Sequence, residues 1–529
     1  MTAPAPPRAR RRLALSTAIF AIATTLSRIA GLGREVAGAS FFGTSHAMSA
    51  FTLASQVPNL FSNLFSQAAL SAAFVPVFTE LLHEGRRREA FRLAATLFWI
   101  ILIALGALTA LWMALAGYVA PLFTGPHISG ALTAGLSRVL FPVVLLLSLT
   151  GLLVGVLQSY DEFTIPALAP AVWNVVILVL LIALRSDFHQ HIYAYAVAWL
   201  AATVVQLVMV LYALRRIDFR LALAIDWRDP RVRQVLVLFV PVTLSIGIIN
   251  LDIFLNAGFG SLVKTNPPGQ APAAINAAFR IYMLPQGIFS VAVATVLFPT
   301  LSRFAIRRDP AGMRRAVGNG MRQINLFLIP SAALLLVLAT PITRLVYQRG
   351  QFTTTSTHLV STALFWFAFS LPFAGVNLLL SRTFFAVQRP WIPTKLAAIN
   401  MVVDVIVSVA LYKPLGIAGL VIGTASANAV MTALQLRRLR IGLNGRLEGG
   451  QTLMITSRIV VASAIMAAVA WAVWSGLDSL LGESLPAQIV SVGVAVALGC
   501  ALYAKAVLTM RVPEARQVQA LLRQRLRRA

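Results

Sequence analysis

Acidic residues are scarce in this chain: 17 Asp and Glu stand against 44 Lys and Arg among 529 residues. All charged residues together make up only 12%, about half the share of an ordinary soluble domain. There is one cysteine, Cys500, inside an apolar run, so neither a disulfide framework nor a cysteine-based metal centre is available. The six histidines lie at the ends of apolar runs or between them, with none at metal-ligand spacing. No GxxxxGK[ST] loop occurs, which excludes ATP binding by that route. Serines and threonines have no histidine or lysine partner at a spacing that would make a nucleophile. The chain is therefore expected not to be an enzyme and to need no cofactor. Period-2 alternation is also missing, which excludes a membrane β-barrel.

What the sequence does have is hydrophobicity. Apolar residues make up 58% of the chain, in long runs such as 98–115, 175–184 and 459–473. A bilayer core takes about twenty helical residues to cross, and each crossing must satisfy its own backbone groups. The expected fold class is all-α and polytopic, with about fourteen spans in two six-helix lobes plus two C-terminal helices. The first spans are expected at 13–41 and 47–80, the seventh at 231–262, and the last two at 455–475 and 484–508. Arg8, Arg10, Arg11 and Arg12 followed by an apolar stretch resemble a signal peptide, but the chain runs on into Ser27-Arg28 without a clear cleavage site. An uncleaved first span fits better.

The net charge of +27 would point to nucleic acid in a soluble protein. Here the arginines cluster in alternate loops: Arg86-Arg87-Arg88, Arg228 with Arg231 and Arg233, Arg303 with Arg307 and Arg308, Arg437-Arg438 and the C-terminal tail. That asymmetry is topological. It puts both termini in the cytoplasm and makes membrane lipid, not nucleic acid, the expected surroundings. The intervening loops hold little beyond Arg138, Arg185, Lys264, Arg344, Arg349 and Lys413. In the tail, Val518, Leu521, Leu522 and Leu526 recur at helical spacing among arginines, either as a helix lying on anionic headgroups or as a solvated topogenic segment.

Two halves look related at an offset near 225 residues. Phe74-Val75-Pro76 matches Leu297-Phe298-Pro299, Thr164-Ile165-Pro166 with Asn174 matches Trp391-Ile392-Pro393 with Asn400, and Arg215-Arg216 matches Arg437-Arg438. A six-span unit repeated in one orientation gives two parallel lobes about an axis along the membrane normal. The expected divisions are an N-terminal lobe over 1–220, a C-terminal lobe over 221–445, a terminal helix pair over 446–510 and a basic cytoplasmic tail over 511–529.

Charges inside spans are costly and default to function. Arg28 and Arg34 fall in the first span and Arg280 early in the eighth, five residues before Pro285. On an ideal helix Arg28 and Arg34 point about 120° apart; Gly31 and Gly33 between them permit a local break that would turn both toward one cavity. Three guanidiniums facing a cavity suit a diphosphate, whose oxygens match the arginine fork. The alternative is that these arginines snorkel to an interface or pair with Glu35. A second cluster is acidic: Asp252 follows Asn250, Asn400 and Asp404 form an i, i+4 pair, and Thr424 lies in the next span. Together these oxygens suit a hard cation or a proton; equally, they suit pairing with arginines or hydrogen bonds between helices.

The stretch Ser27-Arg28-Ile29-Ala30-Gly31-Leu32-Gly33-Arg34-Glu35 resembles the first-span motif of the MurJ/MviN family of lipid II flippases. Val57-Pro58-Asn59-Leu60, Ala73-Phe74-Val75-Pro76-Val77-Phe78 and Gln348-Arg349-Gly350-Gln351-Phe352-Thr353 resemble further family signatures. The resemblance implies an exporter-type fold of two six-helix lobes around a central cavity. It also implies outward flipping of an undecaprenyl-diphosphate-linked peptidoglycan precursor across the bacterial inner membrane. By the same resemblance, Arg28, Arg34 and Arg280 hold the diphosphate, and the last two spans form a groove for the polyprenyl tail. Asp252, Asn400, Asp404 and Thr424 would reproduce the family's sodium site, with proton coupling as the fallback, and cell-wall synthesis enzymes are the implied protein partners. The chain departs from the family in the second span, where Ser62 and Gln67 stand in place of an arginine and a glutamate, and Ser49 where aspartate is frequent. Two other readings remain: an ion-coupled exporter of another polyprenyl-linked or amphiphilic cargo, and a scaffold that recruits cell-wall enzymes.

Overall fold

The computed structural model describes residues 7–64, 67–160, 162, 164–184, 191–217, 219, 226–389, 391–443 and 448–526. Among them every regular element is a helix. In the first part of the chain these are α1 (Pro7–Phe42), α2 (His46–Leu64), α3 (Gln67–His83), α4 (Arg87–Phe123), α5 (Gly130–Leu140), α6 (Pro142–Ser159), α7 (Thr164–Leu184), α8 (Ile192–Leu214) and α9 (Pro230–Leu262). Then follow α10 (Ala271–Pro285), α11 (Val291–Ile306), α12 (Pro310–Val337), α13 (Ala339–Tyr347), α14 (Thr354–Ala386) and α15 (Trp391–Leu415). The last are α16 (Ile417–Gly442), α17 (Gly449–Leu481), α18 (Leu485–Thr509) and α19 (Pro513–Leu526).

Counting α5 with α6 and α10 with α11 as single rods, eleven segments among the described residues are long and apolar enough to cross a bilayer. The chain is a multi-pass membrane protein. The three other spans expected from the sequence, at 13–41, 47–80 and 231–262, coincide with α1, with α2 and α3, and with α9. Rods break where proline or a change of winding intervenes. Pro142 opens α6 directly after α5, a position at which its missing N–H costs nothing. Pro285 closes α10 and is followed by a π-helical turn, Gln286–Ser290, before α11, the kind of widened turn that frequently marks functional sites.

Packing divides the chain into two compact units, one through Leu262 together with Pro267–Pro272, the other Val263–Asn266 with Ala273–Ala529. The lobe boundary expected at 220/221 falls ahead of α9, yet α9 packs against α2, α3 and α4 inside the first unit. Its Val232 and Val235 join a core with Phe74, Phe78, Leu93 and Leu152. Aliphatic and aromatic side chains fill that core, so α9 is held there by close van der Waals packing.

In the second unit α14 packs on α12 and α16, α15 on α16, and the α17–α18 pair on α12. The terminal pair is tied on by polar contacts as well. Tyr503 of α18 donates its hydroxyl to the Leu326 carbonyl of α12 at 2.6 Å, and Asn325 donates to Thr456 at 3.1 Å. Near the α17–α18 turn, Arg344 of α13 pairs with Asp478 and reaches Glu483. The tail helix α19 does not simply drift in solvent. Its Glu514 is 2% exposed and accepts from Arg322 Nε of α12 at 2.5 Å, while Arg322 Nη1 also donates to Glu448 at 3.0 Å.

Candidate substrate and cation sites

The first candidate site starts on α1. The helix runs unbroken through Gly31 and Gly33, so the break expected at these glycines does not occur. Both face α7 with room for a methyl group: a Cβ on Gly31 would lie 3.6 Å from the Asn174 amide and one on Gly33 3.8 Å from Leu178, each an ordinary contact distance. Asn174 Nδ2 donates to the Ser27 carbonyl at 3.3 Å and to the Pro170 carbonyl at 2.9 Å. This clasp fixes α1 on α7 and with it the rotation of the two arginines.

The consequence is that Arg28 and Arg34 meet different surroundings. Arg28 is exposed. Arg34 is 6% exposed; its Nη2 donates to Glu35 Oε1 at 2.5 Å. Its guanidinium lies 5.0 Å from the Trp173 ring centroid and 5.4 Å from that of Trp199. Each such stacking contact contributes about 0.5–2 kcal/mol depending on desolvation. Pairing with Glu35, one of the two alternatives left open by the sequence, is therefore what Arg34 does in this conformation. The two tryptophans are positioned in turn, Trp173 Nε1 donating to Thr203 Oγ1 at 3.1 Å. Neither was recognised from sequence, because the contact joins α1 to α7 and α8 over long separations that no local spacing reports.

In the altered second span, Ser49 is fully buried and Ser62 turns its hydroxyl onto the Pro58 carbonyl at 2.6 Å. Both serines sit in well-formed helix. Asp252 is half-buried on α9, and Asn256 one turn later donates to its backbone carbonyl at 3.1 Å.

In the second unit Arg280 is half-buried on α10. Asp404 is 1% exposed on α15. Its Oδ1 accepts from Ser408 at 3.0 Å and its Oδ2 from Thr424 of α16 at 3.3 Å. The structure thus brings Asp404 and Thr424 together, with Asn400 one turn earlier on α15 and half-buried. Ser408 was missed, although it stands at the same i, i+4 spacing after Asp404 as Asp404 does after Asn400. Gly423 makes the approach of α16 to α15 feasible: a Cβ there would lie 2.1 Å from Ser408 Oγ and 2.7 Å from Asp404 Oδ1. A buried carboxylate with two hydroxyl donors is chemically fit to exchange one of them for a cation or to take up a proton.

An apolar cavity of about 370 Å³ opens along the terminal helices. Phe327 and Leu334 of α12, Met466 of α17, Tyr503 and Val507 of α18 and Ala515 of α19 line it.

Against known proteins, a family model described as lipid II flippase MurJ matches residues 38–491. That range contains Arg280 and all four acidic-site residues; Arg28 and Arg34 lie ahead of it. A Rhizobium meliloti (strain 1021) protein named probable lipid II flippase MurJ is 31% identical over 476 residues, covering 88% of this chain and 87% of its own. A Burkholderia cenocepacia protein named lipid II flippase MurJ is 29% identical over 427 residues, covering 78% and 82%. The fold resembles a solved lipid II flippase MurJ in an inward closed conformation, with a TM-score of 0.75, 22% identity and coverage of 92% of this chain and 99% of that one. It also resembles an inward-facing multidrug transporter of the MATE family, with a TM-score of 0.66, 16% identity and coverage of 79% and 94%. The match over residues 38–491 spans well over half of the sequence, and the chain belongs to the lipid II flippase MurJ family.

Proposed function

We propose that this protein moves lipid II, the undecaprenyl-diphosphate-linked peptidoglycan precursor, outward across the bacterial inner membrane by alternating access, with both termini cytoplasmic. The observation that carries the reading is the family match over residues 38–491, which joins relatives named for this activity. The chemistry of the chain supports it. Arg28 and Arg280 offer guanidinium forks to a diphosphate. Arg34 belongs to the same set but is engaged by Glu35 in this conformation, so it would join the substrate by exchanging one carboxylate for phosphate oxygens. The apolar cavity along α12, α17 and α18 suits a polyprenyl tail. Asp252, Asn400, Asp404 and Thr424 would supply the coupling ion's ligands, sodium or a proton. Cell-wall synthesis enzymes are the expected protein partners.

The altered second span lacks the arginine and glutamate usual in the family, and we expect headgroup selectivity to shift there while diphosphate recognition persists. The test is to deplete the resident lipid II flippase of a bacterial cell and express this chain. Restored growth with outward movement of lipid II supports the assignment. A correctly inserted protein that neither restores growth nor binds lipid II favours an exporter of another polyprenyl-linked or amphiphilic cargo.

A further inference from the structure

A chain of hydrogen bonds leaves the Asp404 site and ends two residues from Arg280. Thr424 donates its hydroxyl to Asp404 Oδ2 at 3.3 Å and offers its backbone carbonyl to Asn428 Nδ2 at 3.1 Å. The same Asn428 nitrogen donates to Ser370 Oγ of α14 at 3.0 Å. Ser370 Oγ lies 3.3 Å from the Tyr282 hydroxyl on α10. Asn428 is also held from the other side, its Oδ1 accepting from Asn377 at 3.2 Å, while Asn377 Oδ1 accepts from Thr432 at 2.7 Å. All these residues belong to the second unit.

Both N–H groups of Asn428 are used and its oxygen is engaged. Its two N–H groups go to Thr424 and Ser370, and its oxygen to Asn377, so it cannot rotate or shift without breaking bonds in two helices at once. Ser370 is fully buried and Tyr282 is 3% exposed, where a lost hydrogen bond is not replaced by water. Tyr282 is further clamped by Phe279 and Phe367, with ring centroids 5.7 and 5.2 Å away. A network made only for packing would serve as well with no acid in it. This one has the Asp404 carboxylate at one end and, at the other, a phenol on the helix that carries Arg280.

We infer that Asn428, Ser370 and Tyr282 are positioning residues that transmit the charge state of Asp404 to α10, and so set the placement of Arg280. The inference rests on the reading of Arg280 and Asp404 given under Proposed function. When Asp404 is neutralised by a bound cation or proton, it no longer draws the Thr424 hydroxyl as strongly. The Thr424–Asn428 turn of α16 relaxes, and the Asn428–Ser370–Tyr282 bonds carry that shift to α10.

The experiment is a double-mutant cycle read at α10. In the full chain with Cys500 replaced by Ser, a fluorine label is placed at Met283→Cys, a position 45% exposed and next to Tyr282. Asp404→Asn should move the fluorine resonance. In Tyr282→Phe and in Ser370→Ala backgrounds, each removing a single oxygen, the same Asp404→Asn change should move it by less than about half as much. An undiminished shift in both backgrounds overturns the inference, as does a resonance that ignores Asp404→Asn altogether. Lipid II binding is measured on the same labelled proteins. Loss of lipid II binding by the parent protein with the coupling intact would sink the flippase reading and leave the coupling standing.

Discussion

Removing Glu514 tests how firmly the C-terminal helix is built into the protein. Arg322 is 6% exposed and Glu514 2%, and they meet at 2.5 Å, with Glu448 as a second acceptor at 3.0 Å. Exposed ion pairs contribute about 0–1 kcal/mol, but stripping one partner from a buried pair costs about 3–5 kcal/mol because the other charge stays behind. Glu448 is 28% exposed on its side chain and compensates in part, so Glu514→Ala should fall at the lower end of that range, about 3–4 kcal/mol. The cost is local: it lowers the free energy of lifting α19 from α12. At 1.4 kcal/mol per tenfold, opening should rise about 10²- to 10³-fold. Hydrogen exchange at the backbone amides of α19, in the full chain in nanodiscs, reads that ratio directly. The double variant Arg322→Met with Glu514→Leu should recover most of the loss, since an apolar pair of similar volume needs no counter-charge. An increase below about fivefold for Glu514→Ala would refute the argument, because about 1 kcal/mol is what a solvent-exposed pair is worth.

Three further outcomes follow from the geometry. Arg280→Ala should weaken lipid diphosphate binding by about 10- to 100-fold and Arg280→Lys by less, since lysine keeps the charge but loses the fork; equal losses would remove the fork argument. Arg34 should show the opposite pattern in stability, with Lys nearly as damaging as Ala in thermal unfolding, because stacking on Trp173 and Trp199 depends on a planar cation. Gly423→Ala should destabilise by about 1–3 kcal/mol through overpacking and abolish any sodium or membrane-potential dependence together with Asp404→Asn; unchanged ion dependence in both would leave Asp404 structural.

Much of this fold was legible because the hydropathy signal is strong and local. Arginine clusters and apolar runs gave the helical rods, and the Asn400–Asp404 spacing pointed to the acidic face of α15. What escaped was the part written in tertiary contacts. Gly31 and Gly33 suggest a hinge in isolation, since glycine loosens a helix; in the fold the Asn174 clasp holds α1 against α7 and the helix runs through them unbroken. The repeat offset says nothing of which helices α9 touches, and its contacts with α2, α3 and α4 are written only in the apolar face it presents to them. The Asn428–Ser370–Tyr282 chain joins three helices through uncharged side chains of kinds that occur throughout the sequence, so nothing in their spacing distinguishes them.

The adjacency of Arg34 and Glu35 has a consequence for how the protein is made. A lone arginine in a helix entering the bilayer is disfavoured, by up to about 2.5–3.5 kcal/mol at the helix centre and less toward its ends. Trp173 and Trp199, which later cover its guanidinium, lie far downstream and are not yet synthesised when α1 leaves the ribosome. Glu35 is already there. The ion pair between neighbours would let Arg34 enter lipid already paired, before α7 and α8 arrive to close over it. Glu35→Gln should therefore act earliest on yield and orientation of the inserted first helix, ahead of any effect on the finished transporter.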